Sequence, residues 1–423
     1  MQSQRAGFSQ WRIFATVSVV AGLSVVWLVW GRRGPAPSLD RLRMASGAND
    51  WSVVRSEGRG YLRQHSDDVE AIVLVARAEA AEKKFDRALE LLSQVPASST
   101  WSAEARLREG EVLRLSFRGV AAERSFRQAM EQAAATVTPQ RVSDAARLGL
   151  IQLCATEARN DEARQLIWEL YRTSPQPVAV LELLGRLDVE GADPHESIAE
   201  LEKFLARDPD DFEARRALAQ HYLVLGRSRE ARSLAEQCVR SNRQSLPAWQ
   251  NLFSCLTDIG DHAALDESIE RPPEPARETA WYWFFRGIAA EHRGQLEAAE
   301  DAFRSALLRD PFDQRTHYRL ARVLIECGKD SSESEKHIGR SEQLNIARGR
   351  LREFYRQVIL SNQRATGPTS ELCFQMGTAY EALGILEGAE AWYRESLKRN
   401  PANAEVQQAL ARLNGPRLKI SDP

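Results

Sequence analysis

From residue 38 to residue 413, apolar side chains recur at intervals of three and four, with none of the strict alternation that marks strands. Alanine, leucine, glutamate and arginine dominate these runs, so the pattern predicts an all-α chain. The helical runs also repeat. Gly226, Gly260, Gly294 and Gly328 are spaced by 34 residues, as are Ala231, Leu265 and Ala299. Pro175, Pro209 and Pro311 lie on a second grid of the same period, with two of its slots empty of proline. A recurring 34-residue interval implies a unit of two short helices, with glycine at the turn between them and proline stopping the second.

Within the unit, residue types recur as well as spacings. Met376-Gly377, Tyr380, Gly384, Ala389, Tyr393 and Pro401 make the clearest instance. Trp283, Gly287, Gly294, Ala299, Phe303, Ala306 and Pro311 make a second, and Leu218-Ala219, Tyr222, Gly226 and Ala231 a third. Weaker instances carry Val75-Ala76 with Ala88, Gly110 with Ala122, Phe126 and Ala129, and Leu148-Gly149 with Ala163 and Pro175. Others are Leu184-Gly185 with Pro209, Trp249 with Leu252 and Gly260, and Leu320-Ala321 with Gly328. Asp67-Asp68-Val69-Glu70-Ala71 is echoed by Asp210-Asp211-Phe212-Glu213-Ala214, which puts the Val69 unit on the same frame.

These residues resemble the tetratricopeptide repeat, whose signature is W-x2-L-G-x2-Y, then A-x3-F, then a closing proline. The resemblance implies a right-handed superhelical solenoid of about nine hairpins over residues 69–401. A small residue lets paired helices approach, and a large one fills the space beside it. One hairpin cannot bury its apolar face alone, so stacking supplies a continuous core. Residues 32–68 then hold a linker and N-terminal capping helices, 402–413 a capping helix and 414–423 a tail.

Two stretches break the period. Arg271-Pro272-Pro273-Glu274-Pro275 cuts short a second helix, making 271–279 irregular. Across 331–369 the period slips by 22 residues while Leu344, Leu351, Phe354, Tyr355, Val358 and Ile359 keep helical spacing. Either an extra helix is inserted there or the second helix of that unit is unusually long.

Near the start, residues 13–31 carry no charge and are mostly apolar. Nineteen helical residues cover roughly 28 Å, about one hydrocarbon core. Trp11, Trp27 and Trp30 sit at the ends, and Arg12, Arg32 and Arg33 close the run. The reading is an uncleaved single-pass anchor after a short tail, 1–12. A cleaved signal peptide is the competitor, opposed by the Arg-Arg-Gly-Pro that follows. The excess of arginine after the run leans toward a cytoplasmic array.

The net charge of −2 gives no global pull toward nucleic acid. The five cysteines, Cys154, Cys238, Cys255, Cys327 and Cys373, form no CxxC pair and read as small core residues. No HExxH, GxSxG or phosphate-loop string occurs, and no two of the seven histidines share one helix turn. No enzyme activity, cofactor, metal, nucleic acid or small-molecule substrate is therefore expected.

Attention passes to the first helix of each hairpin, which the resemblance places on the concave face. Its inner positions here are Arg216 and Gln220, then Trp281, Phe284 and Ile288, then Arg315, Tyr318 and Arg322, then Phe374 with Thr378. The lysine and asparagine pattern of the chaperone-tail binders of this family is absent from them. Trp281, Phe284 and Ile288 make a second apolar stripe on a helix whose packing stripe is Trp283, Gly287 and Ala290. That stripe either fills the space left by the shortened helix or lines a ligand groove. Arg315 and Arg322 beside Tyr318 suit a partner with apolar and acidic side chains. Arg348, Arg350, Arg352 and Arg356 read as a solvated face interrupted by Glu353. The sequence thus implies a membrane-anchored scaffold that binds other proteins. A structural spacer or assembly subunit of an envelope complex is the alternative, and an enzyme-associated regulatory subunit the third.

Overall fold

The computed structural model describes residues 38–414 except 136, 137, 330 and 365. The apolar run over 13–31, its flanks and the tail from 415 lie outside the described residues. Among the described residues every regular element is helical, and no helix is long and apolar enough to cross a membrane.

The helices come in antiparallel pairs. The first two are α1 (Leu39–Gly47) with α2 (Trp51–Leu62) and α3 (Val69–Ala81) with α4 (Phe85–Leu92). Then come α5 (Ser102–Leu115) with α6 (Gly119–Gln132) and α7 (Pro139–Thr156) with α8 (Asn160–Thr173). After α9 (Pro177–Gly185) and α10 (Pro194–Arg207), pairing resumes in α11 (Phe212–Val224) with α12 (Ser228–Ser241). It continues through α13 (Leu246–Asp258) with α14 (His262–Ser268) and α15 (Ala280–His292) with α16 (Leu296–Arg309). The last pairs are α17 (Gln314–Glu326) with α18 (Ser331–Gln363) and α19 (Ser370–Ala382) with α20 (Leu386–Arg399), followed by α21 (Ala404–Asn414).

Local chemistry explains the unit. Asp68 and Asp211, the echoed aspartates, cap their helices by accepting the amides of Ala71 and Ala214 at 3.1 and 2.9 Å. Gly226, Gly260, Gly294 and Gly328 close the first helix at φ between +65° and +74°, where a side chain would be strained. In earlier units Lys83, Phe117 and Ala158 hold this left-handed turn without glycine, at about 1 kcal/mol each. At the helix crossing, a Cβ on Gly287 would lie 2.5 Å from the Phe303 ring, and one on Gly377 2.5 Å from Tyr393. The small residue and the aromatic one are thus two halves of one contact.

A further register appears only in three dimensions. Trp249 and Trp283 each donate the indole N–H to a carbonyl six residues back, Arg243 at 2.9 Å and Arg277 at 2.7 Å. His317 Nε2 reaches Pro311 O at 3.1 Å and Gln407 Nε2 reaches Pro401 O at 2.8 Å from the same place in their units. In these four units, three different side chains use an N–H at that place to tie the incoming loop to the first helix.

Both breaks in period acquire a shape. The proline run confines α14 to seven residues and leaves a 3-10 turn at Glu274–Glu278. The 22-residue slip is one continuous helix, α18, of 33 residues.

One expected hairpin does not form. The Leu184-Gly185 unit with Pro209 would pair α9 with α10, but a π turn at Arg186–Glu190 and Gly191 at φ +68° part them. Helix α10 stays in the stack against α7 and α11, whereas α9 packs on α8, α18 and α20. The space over Gly185 is filled by Tyr355 from α18, whose ring would lie 2.4 Å from a Cβ there. Asp188 seals this contact, accepting from Arg164 Nη2 at 2.9 Å and from the Tyr380 hydroxyl at 3.4 Å. The solenoid closes back on its own middle, and one apolar core runs through α5–α9 and α18–α21.

Candidate docking grooves

Between α11, α13, α15 and α17 lies an open groove of about 570 Å³. Gln220, Phe284, Ile288, Arg315, Tyr318 and Arg322 all line it. Six of the ten expected inner positions therefore converge, but in different roles. Phe284 and Ile288 are only 6% and 4% exposed and form the floor, packed on Phe285 and Phe303. They are not the open hooks that a second exposed stripe implied. Tyr318 is the open aromatic, 54% exposed.

Charge at the rim is mostly basic. The Arg315 guanidinium sits 4.9 Å above the Phe284 ring and meets Asp313 at 3.4 Å. Arg319 and Arg322 share Glu291, at 3.1 and 3.5 Å. Asp258 is the one acid among the lining residues, and it accepts from Ser228 Oγ at 3.0 Å. Leu223, Val224 and Arg319 also line the groove and escaped the sequence reading. Each lies within about one turn of an assigned inner position: Arg319 is next to Tyr318, and Leu223 and Val224 are three and four residues on from Gln220.

The other four inner positions lie elsewhere. Trp281 leaves the groove and packs half-buried on Phe253 of α13, 6.2 Å between ring centres. Phe374 and Thr378 line a separate groove between α18 and α19, of about 530 Å³. Arg216 is 4% exposed and structural: its Nη2 donates to Glu157 O at 2.5 Å, while Nε meets Glu213 at 2.7 Å. His221 Nε2 meets Thr156 O at 2.8 Å alongside. The last carbonyls of α7 have no partner within their own helix, and α11 satisfies them through Arg216 and His221. An inner-face position thereby became a helix cap across the break between units.

The fold also pairs histidines that sequence spacing kept apart. The His262 and His292 rings meet edge-on, with centres 3.5 Å apart and planes inclined by 64°. His317 Nδ1 lies 2.8 Å from His337 Nδ1. Since His317 Nε2–H donates to Pro311 O, its Nδ1 bears the lone pair and accepts from His337 Nδ1–H. With both rings protonated, two N–H groups would face each other across this contact. Burial lowers the pKa of both, with Arg340, Asp313 and Asp310 facing His317 and Glu333 and Arg304 facing His337. Between their folded pKa values and the unfolded value near ~6.5 the unfolded chain binds more protons, so stability falls as pH falls. Thermal unfolding should shift to lower temperature from pH 7.5 toward pH 5.5. His337→Gln, whose amide still donates to His317, should soften that loss, and an unchanged slope would remove the pair as its cause.

Other perturbed groups are structural. Burial pushes Glu157 up to about 7 against the pull of Arg159 at 2.8 Å, and it opens onto neither groove. Burial also pushes the Cys154 and Cys255 thiols up to about 12, which leaves them protonated core residues. Among the described residues no three histidine, cysteine or acidic side chains converge as metal ligands.

Three stretches match tetratricopeptide repeat families: residues 189–254, 262–326 and 370–403. The first begins beyond α9, and none includes the extended part of α18. No curated protein matches the chain. Among solved structures it is similar to the APC/C hetero-tetramer Cut9-Hcn1, at 14% identity over 88% of this chain and 82% of that one, TM-score 0.32. A tetratricopeptide repeat protein from Parabacteroides merdae matches at 15% identity over 74% and 98%, TM-score 0.32. PilW, a widely conserved type IV pilus biogenesis factor, matches at 17% identity over 56% and 100%, TM-score 0.33. TM-scores this low carry no argument about shape or role. The paired helices, the glycine-to-aromatic crossings and the three matched stretches identify the chain as one that carries tetratricopeptide repeats.

Proposed function

We propose that the protein is an interaction scaffold that receives a segment of a partner protein in the α11–α17 groove, and that residues 13–31 tether it to a membrane. The observation that carries the reading is the groove itself. An apolar floor of Phe284 and Ile288 lies beneath an exposed Tyr318, ringed by Arg315, Arg319 and Arg322. Such a surface suits a segment with apolar and acidic side chains, since covering one aromatic ring contributes about 1.5–3 kcal/mol before the entropy of association is subtracted. Excess arginine after residue 31 favours the cytoplasmic side for the array.

A photo-crosslinking residue at position 318 of the full chain, in mild detergent, should capture a discrete partner. The double variant Tyr318→Ala, Arg322→Glu should reduce recovery of that partner about tenfold. An unchanged partner set would favour the spacer reading, which draws on the burial of Phe284, Ile288 and Trp281. Alkaline extraction tests the tether: the full chain should stay with the membrane pellet, and release into the supernatant would refute it.

A further inference from the structure

The α18–α19 groove owes one wall to turns of α18 that lie outside the repeat period, so no repeat motif announces it. Its floor is apolar: Ala347, half-buried Phe354 and Phe374, and Ala379. Ile346 stands at its edge, 54% exposed. Its two charged lining residues are both arginines. Arg340 lies 5.3 Å over the Phe312 ring and meets Gln343 at 3.5 Å, and among the described residues neither Arg340 nor Arg350 is ion-paired. On the same helix Arg356 meets Glu353 at 2.9 Å, while Arg348 and Arg352, which lie outside this lining, have no ion pair among the described residues, as Arg340 and Arg350 have none. The groove lining supplies no carboxylate, although Glu342 lies one residue from Gln343.

From this charge pattern we infer that the α18–α19 groove is a second docking site, for an extended partner segment carrying acidic side chains on an apolar strip. Apolar side chains cover Ile346, Phe354 and Phe374, and carboxylates meet Arg340 and Arg350 in the paired geometry that guanidinium favours. Gln343 Oε1 accepts from Arg340 and Gln375 Nε2 donates to Glu371 Oε1 at 2.8 Å, which leaves the Gln343 amide nitrogen and the Gln375 amide oxygen, on facing walls, for the segment's backbone. Arg340 and Phe354 are fourteen residues apart on α18, roughly 21 Å, the length of about six extended residues. A phosphate chain or an anionic membrane also carries negative charge, but the apolar floor favours a peptide over either. The inference rests on the scaffold reading and concerns a different groove, so one partner with two such segments would engage both.

The test pans a phage-displayed library of random dodecapeptides against the full chain in mild detergent. Enriched peptides should be rich in aspartate and glutamate interspersed with leucine, isoleucine or phenylalanine. Their binding should fall about tenfold in Ile346→Glu and again in Arg350→Glu, and stay unchanged in Tyr318→Ala. Both substituted positions are exposed, so the variants should fold, and circular dichroism checks that they do. Enriched peptides that lack acidic residues, or that lose binding only in Tyr318→Ala, would overturn the second site and leave the scaffold reading standing. No enrichment on the unsubstituted chain would overturn both. An oligodeoxythymidine or phosphatidylserine vesicles binding through Arg350, with no acidic peptide enriched, would also overturn it.

Discussion

Tyr355→Ala should destabilise the chain by about 3–5 kcal/mol, more than the loss of any single contact in the open grooves. The ring is 2% exposed and occupies the space over Gly185, so its removal empties the joint between α9 and α18. Amide exchange should accelerate first in residues 177–190 and 380–399, the two sides of the closure, and later in 280–310. Repeat arrays lose structure at the weakened interface before losing it elsewhere. Tyr355→Phe keeps the ring and should hold the closure. Gly185→Leu should open it from the opposite side by overpacking. Uniform acceleration across the chain in Tyr355→Ala would show that the closure is not a separate joint.

Arg216→Ala should cost about 2–3 kcal/mol, because it leaves Glu157 O, a buried carbonyl at the end of α7, without its donor. Arg315→Ala, by contrast, should stay within about 0.5 kcal/mol, since that arginine lies at an open rim. The two residues were equivalent as inner-face positions in the sequence reading. Urea unfolding of both variants separates them, and equal effects would contradict the assignment of Arg216 as a cap.

The residues most readily understood from sequence are those whose partners lie within one 34-residue unit. Gly287 and Phe303 form one crossing, Gly294 needs a left-handed turn, and Asp211 caps the helix it precedes. Each can be read without knowing what the rest of the chain does. The N-terminal units are fainter because Lys83, Phe117 and Ala158 hold the turn that glycine marks later. The groove was half legible. Face assignment found Phe284, Ile288, Arg315, Tyr318 and Arg322, because the periodicity of an isolated helix settles which side chains share a face. It could not say which of them would be floor and which rim, because that depends on how closely α13 and α15 approach.

By itself, then, the sequence determined the helical unit, its turns and its crossings, all consequences of contacts a few turns apart along the chain. The tertiary structure alone decided that α9 leaves its expected partner and that Tyr355 fills the space over Gly185. It alone set the Tyr380 hydroxyl on Asp188 across 192 residues, placed His317 against His337, and made Arg216 a cap. The physical reason is that a 34-residue period specifies the contact between neighbouring units only when each unit is complete. Where a π turn parts one pair and a 33-residue helix overruns another, the exposed apolar faces find each other instead, and no local pattern records which faces those will be.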